Sequence, residues 1–148
     1  MRVRDATEAD VDAIVGLWDD AGMLAYTPRP QEELERLRGH DPELVLVAES
    51  DDGVIGAILA PFDGRRGWLM RLAVAPEARR TGVGRALVRE AEQRLRARGC
   101  PQVNLLVLAE NTAARAFWER LGYHVPAPVV LMSRRLDDGD EPDEDPAG

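Results

Sequence analysis

The chain has 148 residues, 45% of them hydrophobic, which suits one domain with its own core; its apolar runs are too short to cross a bilayer, and no apolar stretch follows Met1-Arg2-Val3-Arg4-Asp5 to act as a signal peptide. Cys100 is the single cysteine, so no internal disulfide forms, and the expected location is the reducing cytoplasm. The net charge of -8 comes mostly from residues 137–148, which hold seven acids and no base; all 19 bases are arginine, which excludes lysine Schiff-base and lysine-nucleophile chemistry.

Residues 2–7 read as a short strand. Thr7 is a helix N-cap with Asp10 three residues on, and Ile14, Leu17 and Trp18 recur at helical spacing, so residues 8–22 are predicted helical with Gly22 at the end. Residues 23–30, with Tyr26 and two prolines, are expected to be irregular. Residues 31–38 fit a short helix stopped by Gly39 and Pro42. Residues 44–49 form a strand, Asp51-Asp52-Gly53 a hairpin turn, and residues 54–62 the returning strand. A second turn, Asp63-Gly64-Arg65-Arg66-Gly67, leads into a third antiparallel strand over 68–75, which Pro76 stops.

Val83, Leu87, Ala91 and Leu95 then mark one face of a helix that Gly99 and Pro101 end. Residues 102–108 are a strand, parallel to the previous one because a helix joins the two. Residues 111–121 are helical, with Asn111 or Thr112 near the N-cap and Gly122 past the end. Residues 129–136 are predicted as a last strand, and the acidic residues 137–148 as a disordered tail. The order β-α-α-β-β-β-α-β-α-β makes an α/β chain with a mixed sheet, one domain over 1–136 and a tail over 137–148.

Arginine is concentrated between Arg65 and Arg98, where ten arginines meet three acids, Glu77, Glu90 and Glu92. At the Arg89, Arg94, Arg96 and Arg98 end this reads as a solvated helix face with i,i+4 pairs. Around Arg79-Arg80-Thr81-Gly82-Val83-Gly84-Arg85 it reads as an anion site. A strand ends, a tight loop follows, and a helix opens on glycines, so unpartnered amides, the positive helix end and arginines converge. The run is not a P-loop, since it lacks the Lys-Ser/Thr pair. It lacks the third glycine of the dinucleotide fingerprint as well. An acidic chain with 5% aromatic residues and no long basic stripe argues against nucleic acid.

The strand Leu72-Ala73-Val74-Ala75-Pro76, the loop and helix from Arg79 to Leu87, the run Ala97-Arg98-Gly99-Cys100, the strand 103–108, and Asn111-Thr112-Ala113-Ala114-Arg115-Ala116-Phe117-Trp118-Glu119-Arg120-Leu121-Gly122-Tyr123 together resemble the GNAT N-acetyltransferase family. Within it, Asp63–Gly67 and Gly99-Cys100-Pro101 are most like the YpeA-like bacterial branch. The resemblance implies the GNAT acyl-CoA N-acyltransferase fold over roughly 2–136 and direct transfer of an acetyl group from acetyl-CoA, as co-substrate, to a primary amine of a small molecule or peptide. It implies no metal, no nucleic-acid or membrane partner, and a monomer or homodimer.

By the same resemblance Arg79, Gly82 and Gly84 match the family's pyrophosphate motif, and the amides of Arg80, Thr81, Gly82, Val83, Gly84 and Arg85 hold the CoA pyrophosphate. The backbone of Leu72, Ala73 and Val74 pairs with the pantetheine arm, and an amide of Leu72 or Ala73 contacts the thioester oxygen. Asn111, Ala114, Phe117 and Trp118 line the cofactor from the second helix. Two departures limit the acid–base assignment. Trp118 stands where the family has its general-acid tyrosine, and Trp68 where some relatives have a glutamate base. Tyr26, Tyr123 and Asp63 remain acid/base candidates, with Glu110 near the expected cleft.

The alternative reading is a CoA-binding regulatory protein with weak or no catalysis, and a nucleotide-binding domain is a third. Cys100 reads as a small buried hydrophobe, and His40 and His124 as loop residues without metal-ligand spacing. Trp18, Tyr26 and Trp68 are open between acceptor-pocket lining and core.

Overall fold

The computed structural model describes residues 1–25 and 27–136. One five-stranded sheet carries β1 (Arg2–Asp5), β2 (Val45–Ser50), β3 (Gly53–Leu59), β4 (Gly67–Val74) and β5 (Val103–Leu105) in spatial order β1-β2-β3-β4-β5. The first four strands run antiparallel and β5 runs parallel to β4, as a helical crossover requires. The helices are α1 (Val11–Asp20), α2 (Pro30–His40), α3 (Val83–Ala97) and α4 (Thr112–Arg120).

The sheet is buried on both faces. Ile14, Leu17 and Trp18 of α1 and Leu34 of α2 pack with Val45, Val47, Ala57, Leu59 and Ala73 on one face. On the other, Leu46, Ala48, Ile58 and Leu69 meet Val83, Leu87, Val88, Ala91 and Leu95 of α3. The four-residue spacing in α3 is therefore the stripe that docks it on the sheet.

Thr7 opens α1 through a 3-10 turn at Glu8–Asp10, where the Asp10 carboxylate accepts the Thr7 N–H at 2.8 Å. Arg4 on β1 donates to both oxygens of Asp10, at 2.7 and 3.0 Å, and to Glu49 on β2 at 2.6 Å. These bonds tie the sheet edge to the helix entry. The bond from Arg4, outweighing the burial that opposes it, lowers the Asp10 pKa to about 2.

Three expectations are corrected. Helix α2 runs through Gly39 to His40, because a helical glycine costs only about 1 kcal/mol and the chain turns out at Asp41 before Pro42 instead. Residues 54–62 and 102–108 shorten to Gly53–Leu59 and Val103–Leu105. Residues 129–136 are not a strand: they have no regular structure and pair with nothing in the sheet. Val129, Val130 and Met132 are exposed there, so their branched, apolar pattern expresses a strand preference without a partner to complete it. Residues 137–148, read as a tail, lie outside the described residues, as does Tyr26.

Candidate active site

Strand β4 changes character half-way along. From Gly67 to Leu69 it lies opposite Val103, Asn104 and Leu105 of β5, while on its other side Gly67 bridges Phe62, beyond the end of β3. Beyond Leu69 it keeps only β3, and its β5-facing side has no partner strand among the described residues. Leu72, Ala73 and Val74 thus border a wedge between β4 and β5.

A bulge lies at the mouth of the wedge. Ala73 pairs with Ala57 and Met70 with Leu59, so β4 advances three residues where β3 advances two. The extra residue is accommodated at Arg71, whose φ is 50°, a left-handed value rare for a side-chain-bearing residue. As a result Met70 and Arg71, consecutive in sequence, both serve the α1–α2 face, while Leu69 and Leu72 serve the α3 face.

Below the wedge the chain turns through Pro76–Ala78 into the arginine loop. Arg80 (φ 62°) and Gly82 (φ 89°) are both left-handed. Backbone that alternates in hand gathers successive N–H groups into a concavity suited to an anion. Only glycine holds such a conformation without strain at Gly82, where a Cβ would otherwise meet open space. Helix α3 begins at Val83, and its first internal bond is from the Ala86 N–H to the Gly82 carbonyl at 3.0 Å. The amides of Val83, Gly84 and Arg85 precede that bond and are available to a ligand.

Arg79 is steadied by an Nε–H donated to the Val74 carbonyl at 3.3 Å, and the Thr81 hydroxyl donates to the Ala78 carbonyl. Arg80 and Arg85 are exposed and form no ion pair with a described residue. The far end of α3 differs. Arg94 pairs with Glu90, the expected i,i+4 contact, but also with Asp5, and Arg98 pairs with Asp41 and Glu43. Those two arginines fasten α3 to the N-terminal half, while Arg80 and Arg85 at its start are exposed.

Helix α4 closes the same side. The Asn111 side chain accepts the Ala114 N–H at 3.1 Å and caps it. Phe117 approaches α3 closely: a Cβ on Gly84 would lie 3.4 Å from its ring. Phe117 and Trp118 meet edge to face at 5.0 Å, and Trp118 and Tyr123 at 5.4 Å.

The acid–base candidates are placed as follows. The Tyr123 hydroxyl donates to Glu92 on α3 at 2.7 Å, and burial together with that carboxylate raises its pKa far above the usual phenol value, so the structure gives it a packing and bonding role. Asp63 accepts from the backbone of Arg66 and Arg65, at 2.7 Å each, and from Trp68 Nε1 at 3.2 Å; those bonds lower its pKa and make it the organiser of its turn. Glu110 is exposed just before α4. Trp18 is wholly buried in the core and does not line a pocket, and Trp68 is bound into the 63–67 turn. Cys100 is half-buried beside the α3 core, with its thiol donating to the Gln102 carbonyl at 3.2 Å. Among the described residues, no group of three or more His, Cys, Asp or Glu is placed to hold a metal ion, and no helix is long and apolar enough to cross a membrane.

Sequence reading passed over Arg71. It is 8% exposed, donates to the Met23 carbonyl at 2.9 Å and to the Thr27 hydroxyl, and lies 4.7 Å from the centre of the Trp18 ring. The available signal was a charged residue inside the apolar run Trp68–Ala75.

The acetyltransferase (GNAT) family profile matches residues 11–123. The chain belongs to the GNAT acetyltransferase family. Over 136 residues it is 37% identical to an acetyltransferase from Sodalis glossinidius (strain morsitans), covering 92% of this chain and 96% of that one. Among solved structures it is similar to the aminoglycoside acetyltransferase AAC(6')-Iy bound to a bisubstrate analogue, CoA-S-monomethyl-acetylneamine, with TM-score 0.77 and 18% identity over 90% of this chain and 97% of the other. It is also similar to Chaetomium thermophilum Naa20 in complex with a bisubstrate analogue, with TM-score 0.72 and 27% identity over 84% and 72% of the two chains. The mixed sheet, the wedge and the glycine-opened helix are this GNAT acetyltransferase's version of a shared fold.

Proposed function

We propose that this protein is an acetyl-CoA-dependent N-acetyltransferase that acetylates a primary amine of a small molecule or peptide. The observation that carries the reading is the left-handed, arginine-flanked loop at the start of α3, placed beneath a wedge where β4 has lost its neighbour. The loop fits a pyrophosphate: the amides of residues 80–85 supply donors and Arg80 and Arg85 supply unpaired charge. The wedge suits the pantetheine arm, an extended amide-bearing chain that can bond to the free side of Leu72–Val74 as a strand would. Asn111, Ala114, Phe117 and Trp118 bound the same channel from α4.

In the reaction a neutral amine attacks the thioester carbonyl carbon, forming the C–N bond. The oxyanion is held by an amide of Leu72 or Ala73, next to the bulge at Arg71. Collapse breaks the C–S bond and releases CoA thiolate, and the amine nitrogen loses its proton to solvent. A thiol pKa near ~8.5 lets the thiolate leave without a protein acid. We give that acid role neither to Trp118, whose indole does not ionise at neutral pH, nor to Tyr123, which is committed to Glu92.

Trp118 also favours a second reading, a CoA-binding regulatory protein with weak chemistry. Calorimetry with CoA combined with thiol release from acetyl-CoA, across a panel of aminoglycosides, polyamines and peptides, separates the two. Acceptor-dependent thiol release is expected. Tight CoA binding with no release from any acceptor favours the regulator, and no CoA binding overturns both.

A further inference from the structure

Arg71 combines two features that are unfavourable for stability. Its backbone is left-handed, which costs a non-glycine residue of order 1–2 kcal/mol. Its guanidinium is buried, and only part of its bonding capacity is used: Nε makes no hydrogen bond and meets Glu33 only as an ion pair at 3.5 Å. A buried charge with imperfect partners is often less stabilising than an apolar side chain of the same size. The neighbouring positions on this face, Met70 and Ala73, are apolar. Folding alone therefore gives little reason for an arginine here.

Its contacts supply a reason. Arg71 occupies the bulge, immediately before the Leu72 and Ala73 amides that border the wedge. From there it reaches three segments of the opposite layer: the Trp18 ring on α1, the Met23 carbonyl and Thr27 hydroxyl in the α1–α2 connection, and Glu33 on α2. The planar guanidinium can hold all of these at once, with fixed directions between them; a lysine ammonium cannot. The α1–α2 connection is thus attached, through one side chain, to the point of β4 where the thioester oxygen is to be bound.

We propose that Arg71 is a positioning residue that couples the acyl-donor site on β4 to the α1–α2 connection, so that binding acetyl-CoA at the wedge also orders the backbone around Met23 and Thr27. This rests on the reading of the wedge and α3 loop as the acetyl-CoA site. Arg71 touches neither reactant; it acts by holding the bulge, Met23 and Thr27 in one arrangement.

Hydrogen exchange of the full-length protein with and without acetyl-CoA tests this. In the wild type, acetyl-CoA slows exchange in peptides covering 79–88 and also in peptides covering 22–29. In Arg71→Met, which keeps the side-chain volume and removes the donors, the 79–88 response persists and the 22–29 response is lost, with basal exchange there at least tenfold faster. Thr27→Val, which removes one buried acceptor of the clamp, gives a reduced 22–29 response and serves should Arg71→Met fail to fold. A 22–29 response equal to wild type in the folded variants, or a wild type in which 79–88 responds and 22–29 does not, overturns the coupling. If 79–88 itself does not respond in the wild type, the acetyl-CoA site reading falls, and this inference with it.

Discussion

On the α3 side of the sheet the candidate site is made of backbone, whereas on the α1–α2 side the same strand is held by side chains. The first uses the amides of residues 80–85, the unpaired edge of Leu72–Val74, and glycines that permit unusual torsions. The second uses a buried arginine, a threonine hydroxyl, a glutamate and a tryptophan ring. A backbone site tolerates wide variation in side chains provided the torsions survive, so it suits the constant part of a reaction, the acyl donor. A side-chain clamp depends on individual residues, so a single substitution can undo it.

Substitutions sharpen that contrast. Gly82→Asp places a carboxylate beside the amide concavity and is expected to weaken CoA binding at least 100-fold by calorimetry, about 3 kcal/mol. Because a Cβ at Gly82 meets no atom within 4 Å, the melting temperature should fall only by the small cost of a left-handed aspartate. Normal CoA affinity in a folded Gly82→Asp protein would break the backbone account.

Away from both halves of the site, the Arg4–Asp10–Glu49 cluster should govern stability and leave CoA affinity alone. The folded Asp10 pKa, about 2 against an ordinary 3.8, is depressed, so its contribution is fully present above about pH 4 and is lost as pH falls through about 2. Asp10→Asn should cost about 2 kcal/mol in urea unfolding at pH 7, and the gap to wild type should close in strong acid. A gap that stays constant with pH would mean the carboxylate charge is not what Arg4 holds.

The smallest effect belongs to the exposed arginines. Arg85→Gln should weaken CoA binding about threefold at low salt, in the range of an exposed charge contact, with the difference fading above ~0.5 M salt. A loss as large as that of Gly82→Asp would shift the burden from amides to side chains and erase the contrast between the two faces.

Much of the donor half was legible in the chain itself. A Pro-stopped strand, a glycine loop and a four-residue stripe from Val83 to Leu95 each have a local cause, and local causes are visible in sequence. The α1 entry at Thr7 and Asp10 was legible for the same reason, although its partner Arg4 was not. Residues 129–136 misled because strand preference is local while strand formation needs an edge to pair with. Trp18 was left between core and pocket because one apolar aromatic looks the same in either setting until its neighbours are known.

By itself the sequence determined the order of elements as far as α4, the glycine and arginine loop, and membership of a family that moves acyl groups, since these depend on torsional preference and spacing along the chain. Only the tertiary structure decided that β4 bulges at Arg71, that the wedge opens past Leu69, that Tyr123 is bound to Glu92, and that Arg71 reaches from the sheet to Thr27 and Glu33. Those facts come from contacts between residues far apart in the chain, such as the 44 positions between Thr27 and Arg71, and no local pattern encodes which distant group a buried side chain will meet.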